Sequence, residues 1–277
     1  MWDFWREFLW LGSPRGKLPH IDGAGRVPPK GPENTWAEQG REAEIRDAYA
    51  RRDKAGKRAL YSWQSPAELL ARDQMFLRLA GLLRHLGFRD LFEQRILDLG
   101  CGRGELLRRL REWGAAPRNL HGVDLLPDRI AEARELEPSI HFTVGSGWEL
   151  PFEDNQMDAV FATVVLSSVT DPTGRLDLAR EMARVLAPGG ALLVYDFRVS
   201  HPRNPDTVGI SGKELGRLFG GLDLVERHTL TLAPPIARRL PIRSGALVLT
   251  LEALMPFLRT HGLFAFTKPI PEGRNAG

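Results

Sequence analysis

From Arg95 onward, short apolar segments alternate with segments of helical periodicity. The apolar segments are ILDL, LHGVD, IHFTVG, MDAVFA and ALLVYDF, and turn-forming residues separate them. The polar and apolar spacing between them predicts helices near residues 103–113, 127–137, 173–186 and 211–219. Because strands that alternate with helices usually pair in parallel, this pattern predicts a doubly wound, mostly parallel α/β sheet.

The end of the chain departs from this alternation. LDLVERHTL and GLFAFTKP predict two further strands, and a proline-containing, largely helical insert near residues 231–260 separates them. If these two strands pair, we expect one of them to lie antiparallel at the edge of the sheet.

The part of the chain before the alternating region has two sections. Residues 1–34 comprise an amphipathic start and a Gly/Pro-rich linker, and residues 35–94 are predicted to form a helical N-terminal extension of the domain at 95–277. Residues 35–54 are highly charged and are expected to be solvated. The next helix should begin at Ser65, a residue type that caps helices, and Pro66, which suits the first helical position.

The opening segment MWDFWREFLWL, residues 1–11, has one aromatic face and one polar face. Two interpretations are open: the segment docks on its own domain or on a partner chain, or it lies on a membrane surface. The polar face is not rich in Lys or Arg, as it would be in a typical membrane-surface helix. Peripheral membrane contact through this segment is therefore possible but not favoured.

Composition narrows the class of protein. The 277 residues are 43% hydrophobic and 26% charged, with a formal net charge of +3. That excess does not indicate nucleic-acid binding, which needs basic residues clustered on one face. A single cysteine, Cys101, excludes an internal disulfide framework and a multi-cysteine metal site, and fits a cytoplasmic location. No metal is predicted, the oligomeric state stays open, and no apolar run reaches the roughly 20 residues of a membrane span.

The segment RILDLGCGRGELL runs from a predicted buried strand through a glycine turn into a helix. Gly100, Gly102 and Gly104 form G-x-G-x-G, whereas a dinucleotide fingerprint needs G-x-G-x-x-G. Glu105 places a negative charge in the first helical turn, where a pyrophosphate would otherwise bind. The turn therefore favours a nucleoside ligand without a phosphate chain.

A second strand supports this interpretation. It ends at Asp124, 20 residues after Gly104, where a carboxylate can accept hydrogen bonds from both ribose hydroxyls. The alternative is a helix N-cap, but Pro127 places the helix start slightly too far along the chain. Ribose binding is the favoured role for Asp124.

Four blocks together resemble the class I S-adenosylmethionine-dependent methyltransferases, in the branch with a GDAxxLPF-like motif. The blocks are ILDLGCGRG, GVDLLPDRI, GSGWELPFEDNQMDAVFA and EMARVLAPGGALLVYDF, in the family's order and spacing. The resemblance implies a Rossmann-like seven-stranded sheet with a reversed last strand, and S-adenosyl-L-methionine as cofactor. It places Asp98, Gly100, Gly102 and Gly104 around the methionine part, Asp124 at the ribose and Leu125 against the adenine.

The GSGW segment departs from that family. An acid usually stands at the position of Ser146 and contacts the adenine amino group, so the serine would accept a hydrogen bond without the help of a charge. Gly147 and Trp148 are expected as backbone and apolar contacts to the cofactor. Packing within the protein is the other interpretation of Trp148.

The acceptor is harder to predict. A hydroxyl acceptor would benefit from a general base, and the best candidates beyond the fifth strand are Asp196 and His201, although structural or positioning roles are favoured for both. Ser167 and Ser168 stand where many relatives have histidines. We expect methyl transfer to the oxygen of a small molecule. The resemblance of LYSWQSP and RTHGLFAFTKP to methyltransferases of polysaccharide pathways points to a saccharide or a precursor of a cell-surface glycan. A non-catalytic cofactor-binding module and a nucleotide-dependent oxidoreductase are the alternatives.

Overall fold

The computed structural model describes residues 32–54, 65–200, 204–240 and 245–271, with side chains of the first helix described from residue 39 to residue 51. The aromatic start and His201 lie outside the described residues, so what the sequence predicts for them stays a prediction. Within the described ranges, no helix combines the length and the apolar character needed to cross a membrane.

Seven strands of the described chain form one sheet in the order β3-β2-β1-β4-β5-β7-β6. They are β1 (Ile96–Leu99), β2 (Leu120–Asp124), β3 (His141–Val144), β4 (Met157–Thr163), β5 (Leu186–Phe197), β6 (Asp223–Leu232) and β7 (Arg259–Thr267). Neighbouring strands are parallel except for β7, which runs antiparallel to both β5 and β6. This arrangement confirms the predicted doubly wound, Rossmann-like sheet with a reversed last strand.

The place of the reversed strand corrects one prediction, because β7 does not lie at the sheet edge. It lies between β5 and β6, and β6 is the edge strand. The burial of the two strands gives the reason. Seven consecutive residues of β7 are buried, whereas β6 begins with exposed residues and suits a partly solvated edge.

Eight α-helices connect and flank the strands. They are α1 (Pro32–Lys54), α2 (Pro66–His85), α3 (Glu105–Glu112), α4 (Pro127–Leu136), α5 (Pro172–Val185), α6 (Gly212–Leu218), α7 (Pro234–Ala237) and α8 (Gly245–Leu254), within the described ranges. The four helices predicted in the alternating region are all present. Ser65 precedes α2 without forming a side-chain cap, whereas Asp171 caps α5 by accepting from the amides of Thr173 and Gly174.

The helices cover the sheet on both faces. One face packs against α2, α3 and α4 through residues such as Leu79, Leu107 and Ile130, which are buried. The opposite face packs against α5 and α6, for example through Met182 and Leu215. Each such side chain stabilises the fold by roughly 1.5–3 kcal/mol, and together they hold the carboxyl ends of the parallel strands at one edge.

Helix α1 is not a fully solvated helix as its charges suggested. Arg41 forms ion pairs with Asp171 and with Asp177 of α5, at 2.9 and 3.3 Å. Ile45 packs against the apolar core beneath α5, and Ala48 is buried. One face of α1 therefore attaches the N-terminal extension to the domain near the carboxyl ends of the strands.

Candidate functional site

The glycine turn folds over the end of the neighbouring strand. The amides of Gly100 and Cys101 both donate to the carbonyl oxygen of Val123 in β2, at 2.8 and 3.2 Å. Gly100, Gly102 and Gly104 all have left-handed backbones, with φ of 69°, 53° and 73°. Other residues are strained in this conformation, so the turn needs glycine at each of the three positions.

The three glycines differ in the atoms that surround them, and this difference gives them different roles. A Cβ atom at Gly100 would lie 2.5 Å from Val165, and one at Gly104 would lie 2.5 Å from the ring of Phe142. At Gly102 the nearest atom would be the guanidinium of Arg129, 3.9 Å away. The early third glycine thus serves packing against β3, and Gly102 is the position where the backbone is open to a ligand.

Asp124 lies at the end of β2 and faces this turn, as predicted. Its carboxylate accepts from the amide of Gly102 at 2.8 Å and from the amide of Leu126 at 2.9 Å. Leu126 itself occupies the N-cap position of α4, so Asp124 is not the helix cap. Leu125 is half-buried beside it. The carboxylate is therefore held against the open backbone at Gly102.

Asp98 has a buried oxygen without a partner. The residue lies on β1 and its Oδ1 has no hydrogen-bond partner among the described residues. Burial raises the pKa of Asp98 well above its usual range, and the negative charge of Asp124 raises it further. A buried acceptor left unpaired is costly and rare in folded proteins. The two carboxyl groups together suit a ligand that brings a positive charge and hydrogen-bond donors.

Glu105 contributes less to ligand choice than its position in the sequence suggested. Its carboxylate forms an ion pair with Arg72 of α2, at 2.9 Å. The charge at the start of α3 is therefore compensated within the protein. The case against a pyrophosphate rests instead on Asp98 and Asp124, the acids that face the turn.

Cys101 is a packing residue of the turn, as expected. Its thiol is buried, and burial raises its pKa, with Asp98 and Asp124 adding to the effect. A thiol that stays protonated is a poor nucleophile. Within the described residues, no group of three or more His, Cys, Asp or Glu side chains is arranged to hold a metal ion.

The GSGW segment is organised by contacts within the protein. The hydroxyl of Ser146 accepts from the amide of Trp148 at 3.2 Å. A Cβ atom at Gly147 would lie 2.5 Å from Leu178, so this glycine allows the segment to approach α5 closely. The indole of Trp148 is buried and donates to the carbonyl oxygen of Gly174 at 2.8 Å. These contacts favour the packing interpretation of Trp148, whereas Ser146 stays accessible enough to meet a ligand.

Helix α1 makes a contact that was not predicted from the sequence. The guanidinium carbon of Arg129 lies 4.3 Å from the ring centroid of Tyr49, and the Tyr49 hydroxyl lies 3.4 Å from the hydroxyl of Ser168. Helix α1 thus reaches from the glycine turn to the loop after β4. The helical spacing of Arg41, Ile45 and Tyr49 along an otherwise charged segment is the pattern that could have identified its inward face.

The loop after β4 is held by Asp196. The carboxylate accepts from the amide of Ser167 at 3.1 Å and from the amide of Phe197 at 2.8 Å. Val164 at the start of this loop has φ of 57°, a strained conformation for a β-branched residue, and it donates to the carbonyl oxygen of Tyr195. Asp196 is therefore placed to position the loop, and both its oxygens are already engaged.

Burial of Asp196 predicts a dependence of stability on pH. Burial raises its pKa from 3.8 to about 6, although hydrogen bonds at Ser167 and Phe197 favour the charged form. The folded protein then holds this proton more tightly than the unfolded chain. Its contribution to the free energy of unfolding falls as pH rises from about 4 to about 6, by at most roughly 1.4 kcal/mol per pH unit, and then levels off.

Urea denaturation of the wild type and of Asp196→Asn between these pH values measures this contribution. The variant keeps the size of the side chain but loses its titration, so the difference between the two free energies of unfolding should change with pH. Parallel curves for the two proteins would show that Asp196 does not titrate in this window.

His261 on β7 is surrounded by other side chains of the protein. His261 on β7 is buried, stacks 4.9 Å from the ring of Tyr195 and lies 3.0 Å from the hydroxyl of Thr260. Burial lowers the pKa of His261 to about 3, so the ring is neutral at physiological pH. The hydroxyl of Tyr195 in turn lies 2.7 Å from that of Thr231. This buried cluster lies at the same edge of the sheet as Asp196, next to the insert.

Sheet order, the glycine turn after β1 and the acid at the end of β2 are the features that the resemblance to class I S-adenosylmethionine-dependent methyltransferases implied. Residues 96–190 match the family model described as a methyltransferase domain. This part of the chain is therefore similar to a methyltransferase domain, as the sequence blocks indicated.

Two curated proteins of similar sequence are themselves named methyltransferases. An uncharacterised methyltransferase of Mycobacterium bovis is 34% identical over 143 residues, which are 51% of this chain and 53% of that protein. The chloroplastic 2-phytyl-1,4-beta-naphthoquinone methyltransferase of Arabidopsis thaliana is 33% identical over 114 residues, or 38% of this chain and 42% of that protein. The chain thus spans about half the length, or less, of these relatives.

A solved structure shows the same fold. The crystal structure of a putative sarcosine dimethylglycine methyltransferase from Galdieria sulphuraria superposes with a TM-score of 0.55 and 21% sequence identity. The superposition covers 71% of this chain and 86% of that one.

Proposed function

We propose that this protein is an S-adenosylmethionine-dependent methyltransferase that acts on a small-molecule acceptor. The observation that carries the proposal is the unpartnered buried oxygen of Asp98, next to Asp124 and the open backbone of Gly102. S-adenosylmethionine has an ammonium group and a sulfonium centre, so it offers both hydrogen-bond donors and positive charge to these acids. A pyrophosphate would bring further negative charge to the same place.

The residues of the turn would divide the cofactor between them. Asp98 and the backbone around Gly102 would hold the methionine part, with Gly100 and Gly104 fixing the shape of the turn. Asp124 would exchange its bonds to the amides of Gly102 and Leu126 for bonds to the ribose hydroxyls, or share them.

The remaining predicted residues would surround the base. Leu125 would pack on the adenine, and Ser146 would accept from its amino group. For Gly147 and Trp148, packing against α5 makes support of this segment the better proposal.

When bound, S-adenosylmethionine supplies a methyl group for in-line displacement by the acceptor. The protein's own task is to hold the acceptor in line and to exclude water. Helix α1 supports this role, because Tyr49 links the turn side at Arg129 with the loop at Ser168. Asp196 positions that loop from below. A role as general base for Asp196 or His201 is a secondary proposal.

For the acceptor, we keep an oxygen nucleophile on a saccharide or glycan precursor, on the strength of the LYSWQSP and RTHGLFAFTKP segments. A carbon of a quinone-type acceptor is the second candidate, since one relative, from Arabidopsis thaliana, is named a 2-phytyl-1,4-beta-naphthoquinone methyltransferase and another, from Vibrio cholerae, a ubiquinone/menaquinone biosynthesis C-methyltransferase. A cytoplasmic location, which fits the single cysteine, completes the proposal.

Isothermal titration calorimetry with S-adenosylmethionine, S-adenosylhomocysteine and NAD tests the cofactor. We expect binding of the two sulfur ligands and none of NAD; tight NAD binding would instead support an oxidoreductase. Transfer of isotopically labelled methyl groups to saccharide, glycolipid and quinol panels, followed by mass spectrometry and NMR, distinguishes O- from C-methylation. Cofactor binding without transfer to any panel would favour the non-catalytic binding module.

A further inference from the structure

The outer face of helix α8 is apolar. Six of the ten residues of this helix are exposed, and none of the six carries an ionisable group: Ala246, Leu247, Leu249, Thr250, Ala253 and Leu254. Leu254 is 74% exposed and Leu249 is 45% exposed. A helix on the surface of a soluble domain normally places charged residues on this side, and a continuous exposed apolar face indicates an interaction surface.

The inner face of α8 is already occupied. Val248 packs in a small core with Leu258 and with Leu70 of α2. Glu252, the single acid of the helix, also turns inward and accepts from the amide of Thr231 and from the side chain of Gln74, both at 2.9 Å. The helix is thus anchored through one side, and the side that remains is the apolar one.

The sequence around α8 is rich in arginine. Residues 238–259 contain four arginines, at 238, 239, 243 and 259, and Glu252 is the only acid among them. Arg238 is paired with Glu68 at 2.5 Å, and Arg239 is exposed. Arg259 donates to the carbonyl oxygens of Glu252 and Thr229. Arg239 is therefore the arginine, among the described residues of this segment, that is exposed and without an ion pair. An exposed apolar helical face with an arginine in the same insert is complementary to a bilayer surface with anionic headgroups, where apolar side chains enter the acyl boundary and cations meet the lipid phosphates.

The position of the insert places α8 at the same edge of the sheet as the candidate site. Strand β6 ends at Leu232 and β7 begins at Arg259, so α8 belongs to the connection between them. His261 of β7 pairs with Phe197 at the carboxyl end of β5. The insert therefore emerges at the edge of the sheet that carries the glycine turn and Asp196.

We propose that the outer face of α8 binds the surface of anionic lipid membranes. The residues of this face are not those of segment 1–11, whose membrane contact the sequence does not favour. It does not depend on the identity of the cofactor, and it brings the open edge of the sheet next to a lipid phase.

Flotation of the full chain with lipid vesicles tests this surface. The probes are phosphatidylcholine vesicles with and without about 30% phosphatidylglycerol. We expect the wild type to float with the anionic vesicles and to be released partly by about 0.5 M NaCl, which screens the arginines. The double variant Leu249→Asp with Leu254→Asp should lose at least roughly tenfold in partitioning, because two apolar groups no longer enter the acyl boundary.

The chain offers a matched control. Leu77 and Leu136 are 76% and 58% exposed, on α2 and α4, so the exposure of this pair is similar to that of the two leucines of α8. The variant Leu77→Asp with Leu136→Asp should bind vesicles as the wild type does. Circular dichroism and calorimetry with S-adenosylmethionine show whether each variant is folded, independently of its binding to lipid.

Three results would overturn the proposal. The first is a wild type that does not float with anionic vesicles, and the second is an equal loss of binding in both double variants. The third is a loss of vesicle binding in Trp5→Ser with Phe8→Ser while the α8 variant still binds, which would assign the contact to the aromatic start. Multi-angle light scattering tests a further outcome. If the wild type is a dimer that does not float with vesicles, and the α8 double variant is a monomer, the face binds a second copy of the chain instead of a membrane.

Discussion

Replacing Asp124 with alanine should weaken S-adenosylmethionine binding by about 1.5–3 kcal/mol, or roughly 10- to 150-fold in Kd. The carboxylate is buried at the end of β2 and is held by the amides of Gly102 and Leu126. Ribose hydroxyls would donate to it, and hydrogen bonds to a charged group are worth more than those to a neutral one. Calorimetry of the folded variant measures the loss.

Two further variants make this test specific. Asp124→Asn keeps the shape of the side chain but removes the charge, and should lose an intermediate amount of affinity. Asp128→Ala removes an exposed acid four residues along the chain, in the first turn of α4, and should leave affinity unchanged. Wild-type affinity in a folded Asp124→Ala protein would remove this residue from the site.

Gly104→Ala should destabilise the protein by about 2–5 kcal/mol. A left-handed backbone costs an alanine roughly 1–2 kcal/mol, and overpacking of a core adds about 1–3 kcal/mol. Both apply here, because φ is 73° and the new methyl group would lie 2.5 Å from the ring of Phe142. Urea denaturation measures the change in the free energy of unfolding.

Gly102→Ala is the matched partner of this variant. Its backbone is also left-handed, with φ of 53°, but no atom other than the Arg129 guanidinium lies within 4 Å of the new methyl group. We therefore expect a smaller loss of stability and a larger loss of cofactor affinity. A Gly102→Ala protein that is less stable than Gly104→Ala and still binds the cofactor would contradict the division of roles between the two glycines.

Strands and helices with one clear period were predictable from the sequence. Each of the parallel strands is a short apolar run, and Asp124 follows from the position at which the second run ends. The place of β7 was not predictable in this way. Sequence order gives no rule for the insertion of a later strand between two earlier ones, and the burial of β7 on both faces becomes visible only when its neighbours are known.

The glycine turn shows the limit of motif spacing. Three glycines in G-x-G-x-G indicated a ligand site, but two of them are required by Val165 and Phe142, which are distant in the sequence. Similarly, the charge of Glu105 is compensated by Arg72, which lies on α2 and is distant in the sequence. Spacing identifies where a backbone must turn, whereas contacts between distant segments decide which positions remain for the ligand.

Strand order also sets an order of events during synthesis. β7 follows both β5 and β6 along the chain, and it separates them in the sheet. On the ribosome, β5 and β6 emerge before the strand that joins them, so the sheet cannot be completed until β7 has also emerged. A nascent chain stopped before residue 259 would leave an edge of β5 unpaired, a form prone to aggregation.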